Sequence, residues 1–288
     1  MIRLITSFLF NVARLLKHYY TLLRLGFLFS EKLGCSKKRT CKQGIRVLAN
    51  GPSLKNDIPH IVEQNKNGKY DYIVLNFFAM DEVFYKLKPR YYCFADPMFF
   101  EKDRRYEKVM ALFHVLNTKV DWDMTIYVPK EKIGAFLSFS GLNNSHLKIK
   151  GVIATQYKSF ECLRNWHYEK GLALPCLGTV AILSIYAAIN LGYKYIELFG
   201  LDHTFFDGIC VDENSHLCRR IAHFNDKQYT LEPEWKSDGV HTKVSEYLFE
   251  MAEIFRSHDL LANYASYVGA KIINKTNNSL IDSYIRHE

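Results

Sequence analysis

The sequence contains no Gly-x-Gly-x-x-Gly and no Walker-type Gly-Lys-Ser/Thr, which disfavours the ordinary dinucleotide and ATP loops. It has no Cys-x-x-Cys pair. Its seven cysteines, Cys35, Cys41, Cys93, Cys162, Cys176, Cys210 and Cys218, are odd in number and scattered, so a disulfide scaffold is disfavoured and reduced thiols in the cytoplasm are expected. Cys210 and Cys218, with His216 between them, form a local cluster, and their spacing fits no zinc pattern. No apolar run approaches the ~20 residues that cross a bilayer, because Arg3, Arg14, Lys17 and Arg24 interrupt the first forty positions. The basic residues also lack the interleaved stacking aromatics of a nucleic-acid module, so no nucleic-acid partner is expected.

What is present is a chain of 288 residues, 48% hydrophobic, with a formal charge of +8. That length and apolar content support a real core, and the charge favours an anionic partner. The segment 1–40 reads as a helix. Arg3, Ser7, Asn11, Arg14, His18, Thr21 and Arg24 recur every three or four residues as a narrow basic stripe, and Ile5, Phe8, Leu9, Val12, Leu15, Leu16, Tyr19, Leu22 and Leu23 make a wide apolar face. Such a helix either lies in a membrane interface, with the following "SKKRTCK" adding attraction for anionic headgroups, or packs on the domain or a sister subunit in a homo-oligomer.

From 41 to 288 the pattern changes to short apolar runs alternating with helical stretches, which predicts an α/β, Rossmann-like, mostly parallel sheet flanked by helices. The strand candidates are 45–49, 70–76, 90–96, 124–129, 195–200 and 270–274. Helices are predicted over 176–194 and from His241 onward. The polar, aromatic stretch at about 203–240 lacks periodicity and reads as a lid insertion.

Several strand candidates end in polar or glycine residues: Asn50-Gly51, Asn76, Asp96-Pro97 and Gly200-Leu201-Asp202. In open parallel sheets ligands bind outside the carboxyl ends of the strands, so these residues converge on one candidate site. Gly51 lets the backbone approach an anion, and Ser53 either donates to a phosphate or merely caps the next helix. Gly178-Thr179 offers a second amide-rich turn at a helix start. No Asp-x-Asp of the kind that holds a metal against a diphosphate stands at a strand end, so a site without metal or cofactor is expected. A histidine suits a base near neutral pH, and His241, just before the last long helix, is the best placed by position.

Together these motifs resemble the bacterial sialyltransferases of glycosyltransferase family 42 and the related hydroxymethylpterin-diphosphokinase-like group, over roughly residues 44 to 284. "NGPSLK" is similar to the family's first strand-turn, and Asn76 in "VLNFF" to its second-strand asparagine. "ADPMFF" stands at its Asn-Pro-aromatic segment, and "AAINLGYKYIELFGLD" resembles its helix-strand unit. "VHTKVSEYLFEM" is similar to the segment with its catalytic histidine, and "NNSLI" to a late Asn-Ser-Leu.

The resemblance implies a Rossmann-like domain with a lid over a CMP-sugar, and metal-independent, inverting transfer. Asn50, Gly51, Ser53 and Asn76 would contact the nucleotide and its phosphate; Asp96, Gly178 and Thr179 join them as donor-site candidates by their own strand-end and turn positions, not by the resemblance. Gly200 and Asp202 would meet the cytidine, and His241 would be the base. Asp96 replaces an asparagine, which disfavours a sugar carboxylate close to it, and Pro175-Cys-Leu-Gly-Thr departs from the family's helix start toward the diphosphokinase-like group. The tyrosines that hold the leaving phosphate have no match. Thr204 stands at one such position, and His203, Tyr229 or a lid lysine would substitute.

The expected activity is therefore transfer of an acidic sugar, sialic acid or Kdo, from a CMP-sugar donor to a glycan or lipid-linked acceptor in surface polysaccharide or lipooligosaccharide synthesis. The expected location is peripheral, on the cytoplasmic face of the inner membrane. The alternatives are an ATP-dependent diphosphokinase-like enzyme, with Asp96 and Asp202 holding magnesium, and a non-catalytic nucleotide-binding membrane protein.

Overall fold

The computed structural model describes residues 2–36, 42–221, 230–235 and 239–286. After an N-terminal helix, α1 (Ile2–Arg24), the chain alternates strands and helices: β1 (Gly44–Leu48), α2 (Leu54–Asn65), β2 (Tyr70–Leu75), α3 (Val83–Leu87), β3 (Tyr91–Cys93), α4 (Tyr106–Lys119), β4 (Met124–Pro129), α5 (Ile133–Ser140) and β5 (Leu147–Val152). Two helices, α6 (Glu161–Glu169) and α7 (Val180–Asn190), lead to β6 (Tyr195–Phe199). Then come three short strands, β7 (Ile209–Val211), β8 (Leu217–Ile221) and β9 (Thr230–Pro233), the long α8 (Val244–Tyr267) and β10 (Lys271–Asn274).

The main sheet has seven strands in the order β10-β6-β1-β2-β3-β4-β5, and every pairing is parallel. This is an α/β, Rossmann-like fold. The chain winds outward from β1 to β5, then returns to lay β6 against the other side of β1. The order reverses there, and a crevice opens where the helices after β1 and β6 depart to different places.

Strand side chains alternate between two buried layers. Ile45, Val47, Ile73 and Leu75 face α7. Leu48, Tyr72, Val74 and Phe94 face the opposite layer, which is filled by Phe84, Phe99, Phe113 and Phe136. All eleven residues of α7 are buried, as its almost wholly apolar sequence requires. Thr179 caps it by accepting the Ala181 amide, and Gly192, in the left-handed region at φ 89°, ends the turn that follows.

Two elements differ from expectation. β5 was not among the six strand candidates, because it is an edge strand whose inner positions alternate with exposed Lys148 and Lys150. The lid stretch is not irregular throughout: β7, β8 and β9 form an antiparallel sheet in which Cys210 pairs with Cys218. Both thiols are free, as are Cys35, Cys93, Cys162 and Cys176, while Cys41 lies outside the described residues.

α1 buries a different stripe from the one its polarity pattern implies. His18 and Leu22 are buried, with Asn11, Leu15 and Tyr19 partly so. Ser159 donates to the Asn11 carbonyl at 2.6 Å. The Tyr19 hydroxyl donates to His167 Nε2 at 3.1 Å, a direction set by His167 Nδ1, which gives its proton to the Leu163 carbonyl at 2.7 Å. His18 packs edge-on against the rings of Tyr157 and His167. Asn11 and His18 therefore leave the solvent stripe, and Ile5, Leu9, Leu16 and Leu23 leave the core. Among the described residues no helix is long and apolar enough to cross a membrane.

Candidate active site

The carboxyl edge around β1, β2 and β6 carries two adjoining hollows of about 650 and 630 Å3. They share Thr179, Phe205 and Arg219 as a common wall, and each is large enough for a small-molecule ligand. Asn50, Gly51, Asn76, Gly200, Asp202 and His203 line the first. Asp96, Gly178, Trp235, Tyr247 and Glu250 line the second.

The first turn is built by close approach. The Gly51 amide donates to the Gly200 carbonyl at 2.9 Å, and a Cβ on Gly51 would overlap both that carbonyl and Asp202 Oδ2. Ser53 does not cap α2. Its hydroxyl donates to Asp202 Oδ2 at 3.0 Å, which ties the β1 and β6 loops together and commits the proton that a phosphate would have needed. Asn50 Nδ2 donates to the Leu75 carbonyl at 3.2 Å, joining β1 to β2.

Asn76 and His203 both take left-handed backbone, at φ 50° and 51°. Asn and His tolerate that conformation better than most residues, and both stand at the rim of the same hollow. The Asn76 carbonyl accepts the Tyr92 hydroxyl at 2.6 Å, while its Oδ1 is buried without a partner. An orphaned acceptor of this kind is completed by water or ligand. Asp96 has a raised pKa because burial outweighs the opposing influence of the Asn76 side chain and of Arg105.

His203 is backed by two buried side chains absent from the sequence-based site. Its Nε2 lies 3.0 Å from His258 Nε2, and His258 Nδ1 lies 2.9 Å from the Tyr284 hydroxyl. Burial lowers the His203 pKa to about 4 and holds His258 well below its usual value, with His203 adding to the effect. Both rings are neutral at pH 7. Tyr284, raised well above the usual phenol range by burial, keeps its proton. Among the described residues its hydroxyl has one partner, His258, so the network assigns the donors in order. Tyr284 donates to His258 Nδ1, His258 Nε2–H donates to His203 Nε2, and the remaining proton of His203 sits on Nδ1.

The other two catalytic candidates do not join this cluster. His241 stacks on His216 at 3.5 Å and lies 3.6 Å from the Trp235 ring, within the lid and among the residues lining neither hollow. Tyr229 lies outside the described residues. The lid contributes instead Arg219, which is ion-paired to Glu234 and forms part of the shared wall. Gly178 sits where a Cβ would approach Ile254 of α8 to 2.6 Å, so its absence of a side chain lets the start of α7 and α8 pack together. One Asp-x-Asp exists, Asp121-Trp122-Asp123, at the opposite edge of the sheet just before β4, where Asp121 pairs with Lys88 at 2.8 Å. Among the described residues no group of three or more His, Cys, Asp or Glu is arranged to hold a metal ion.

No family model matches the chain and no curated protein is similar to it. Among solved structures, that of the Maf glycosyltransferase from Magnetospirillum magneticum AMB-1 matches with a TM-score of 0.50 at 14% sequence identity, over 88% of this chain and 34% of that one. The likeness is one of fold, and this chain spans about a third of that protein's length.

Proposed function

We propose that this chain is a glycosyltransferase that moves a sugar from a nucleotide-activated donor to a glycan hydroxyl. The donor class is a CMP-activated acidic sugar, sialic acid or Kdo, toward which the resemblance of the strand-end motifs points. The observation that carries the reading is the pair of adjoining hollows at the point where the strand order reverses. One is walled by Asn, Asp and a neutral histidine, and the other by Trp235 and Tyr247. Aromatic faces beside carboxylates suit an acceptor sugar, and the first hollow suits a nucleotide.

In this reading the nucleotide lies along Asn50-Gly51, Asn76 and Gly200–Asp202. Its phosphate meets the N-terminus of α7 at Thr179, where helix amides favour an anion, with Arg219 supplying a positive charge from the lid. His203 donates Nδ1–H to a phosphate oxygen. A neutral imidazole with a depressed pKa is a donor that loses no proton to the leaving group. Asp96, placed on the acceptor side with its pKa raised toward the working range of a carboxylate base, takes the proton of the acceptor hydroxyl, with the sugar carboxylate that it would repel turned away from it toward Arg219 in the shared wall. That oxygen bonds to the anomeric carbon as the bond from this carbon to the phosphate oxygen breaks, its electrons leaving on CMP. A single displacement from the opposite face inverts the anomeric centre. Asp96 thus takes the part that sequence position assigned to His241, because His241 lines neither hollow.

The test is thermal stabilisation by CMP, CDP, UDP, GDP and ATP, each with and without magnesium. At a hundredfold excess over Kd, binding stabilises by about 2.7 kcal/mol. Stabilisation by CMP without metal, and transfer or slow hydrolysis of CMP-sialic acid or CMP-Kdo, are expected. A response confined to ATP with magnesium refutes the reading and favours phosphoryl transfer, and no response to any nucleotide refutes an enzyme of either kind.

A further inference from the structure

We infer that α1 is a docking face for an anionic lipid surface. One side of the helix is spent on the protein body through Asn11, His18, Tyr19 and Leu22. The side that remains is not polar. Ile5, Leu9, Leu16, Tyr20 and Leu23 are 51, 58, 66, 63 and 54% exposed, and their spacing places them along one stripe of the helix. Beyond the helix Phe29 is 86% exposed.

Lys17 and Arg24 lie along one flank of that stripe, with Arg3 and Arg14 further round toward the body-facing side; all four are exposed, and among the described residues no carboxylate pairs with them. No Asp or Glu precedes Glu31 in the chain. A second copy of this face would set cations against cations. An anionic bilayer satisfies both properties at once, taking the apolar stripe into the acyl boundary and the cations among its headgroups. Docking of α1 on the domain holds the stripe outward, so the protein presents a preformed surface helix.

Each cation near an anionic surface strengthens partitioning by about fivefold, so Lys17 and Arg24, the two beside the stripe, contribute on the order of twentyfold, and salt erodes this as the screening length shortens. The inference rests on α1 alone and holds whether or not the cleft transfers sugars.

The experiment is flotation of the full chain with vesicles of phosphatidylglycerol and phosphatidylcholine, and of phosphatidylcholine alone, with oligomeric state measured in parallel by light scattering. Binding to the anionic vesicles is expected, weakened at least about tenfold on neutral vesicles or in high salt. Leu9→Glu with Leu16→Glu, both at exposed positions, is expected to weaken it at least about tenfold while leaving the melting temperature and nucleotide response unchanged. Lys17→Glu with Arg24→Glu is expected to abolish the preference for anionic lipid. The inference is overturned if the chain stays unbound on anionic vesicles, or if the leucine variant floats as the parent does. It is also overturned if the chain is a dimer that this variant makes monomeric without any lipid binding, which assigns the face to a second copy.

Discussion

Replacing Tyr284 by Phe tests the proton order inferred for the His203–His258–Tyr284 chain without any substrate. The chain has two possible polarities. In one, each donor points from Tyr284 toward the cavity, and His203 carries its proton on Nδ1. In the other, His203 Nε2–H points inward and the buried Tyr284 hydroxyl proton has no acceptor among the described residues. An orphaned buried hydroxyl costs about 1–3 kcal/mol, so the first polarity is favoured roughly 5- to 150-fold. Tyr284→Phe removes the hydroxyl that decides between them and leaves His258 Nδ1 unpaired, at a cost of about 1–3 kcal/mol in stability. Long-range 1H–15N correlation spectra near pH 7.5 distinguish the tautomers, with His203 signals assigned through His203→Asn. The parent is expected to show His203 protonated at Nδ1 and bare at Nε2, and Tyr284→Phe to show a mixture. A parent spectrum with the proton on Nε2 refutes the reasoning, and with it the role of His203 as donor to the leaving phosphate.

Four further outcomes are expected. Asp96→Asn lowers kcat by a factor of 10²–10⁴, the usual contribution of a general base, with CMP stabilisation retained, whereas His241→Ala changes kcat by much less; the reverse ranking restores His241 as the base. Gly51→Ala costs more than about 2 kcal/mol and abolishes the nucleotide response, because its methyl group overlaps Asp202 and the Gly200 carbonyl. The control Gly134→Ala, inside α5 with open space around the new methyl group, gains about 0.5–1 kcal/mol in chemical denaturation. Burial and His167 lower the His18 pKa from 6.5 to about 4, so the unfolded chain binds the extra proton between those values and stability falls as pH drops through that window, by up to about 3 kcal/mol. Neither His18 ring nitrogen has a hydrogen-bond partner at normal geometry, and the nearby Leu172 backbone offsets the lowering only in part, so His18→Phe is expected to come close to the parent at pH 8 and to lose less than the parent at pH 5; equal losses at pH 5 refute this. Glu197→Ala leaves the buried Arg46 guanidinium without the carboxylate that meets its Nε at 2.7 Å and costs about 3–5 kcal/mol by denaturant titration.

The strand ends were legible because an apolar run followed at once by Asn, Asp or Gly carries both the period of a strand and the chemistry of its exit. Asn50, Asn76 and Asp202 fall where that pattern puts them. β5 was not legible, since an edge strand needs few apolar residues and its lysines mimic a loop. In α1 the polarity of Asn11 and His18 reads as exposure, yet burial there follows the shape of the contact with Tyr157 and His167. His258 and Tyr284 were invisible for another reason. Their link to His203 spans 55 and 26 residues of chain and leaves no local spacing to read. Arg219 was hidden within a lid that lacks periodicity. His241 drew notice by its place before α8, but local position says nothing about the direction a side chain takes, and stacking on His216 and Trp235 carries it into the lid.

Because every residue of α7 is buried, the helix whose N-terminus borders the shared wall of both hollows is also the centre of the core. If an anion binds there as proposed, the helix dipole needs no reorganisation to meet it, and no residue along the helix can change without disturbing the packing of the sheet beneath. Variants in α7 should therefore appear as loss of folded protein rather than as altered kinetics. In the proposed reading, substitutions that alter substrate preference without unfolding the chain are expected in the strand-end loops and the lid rather than in α7.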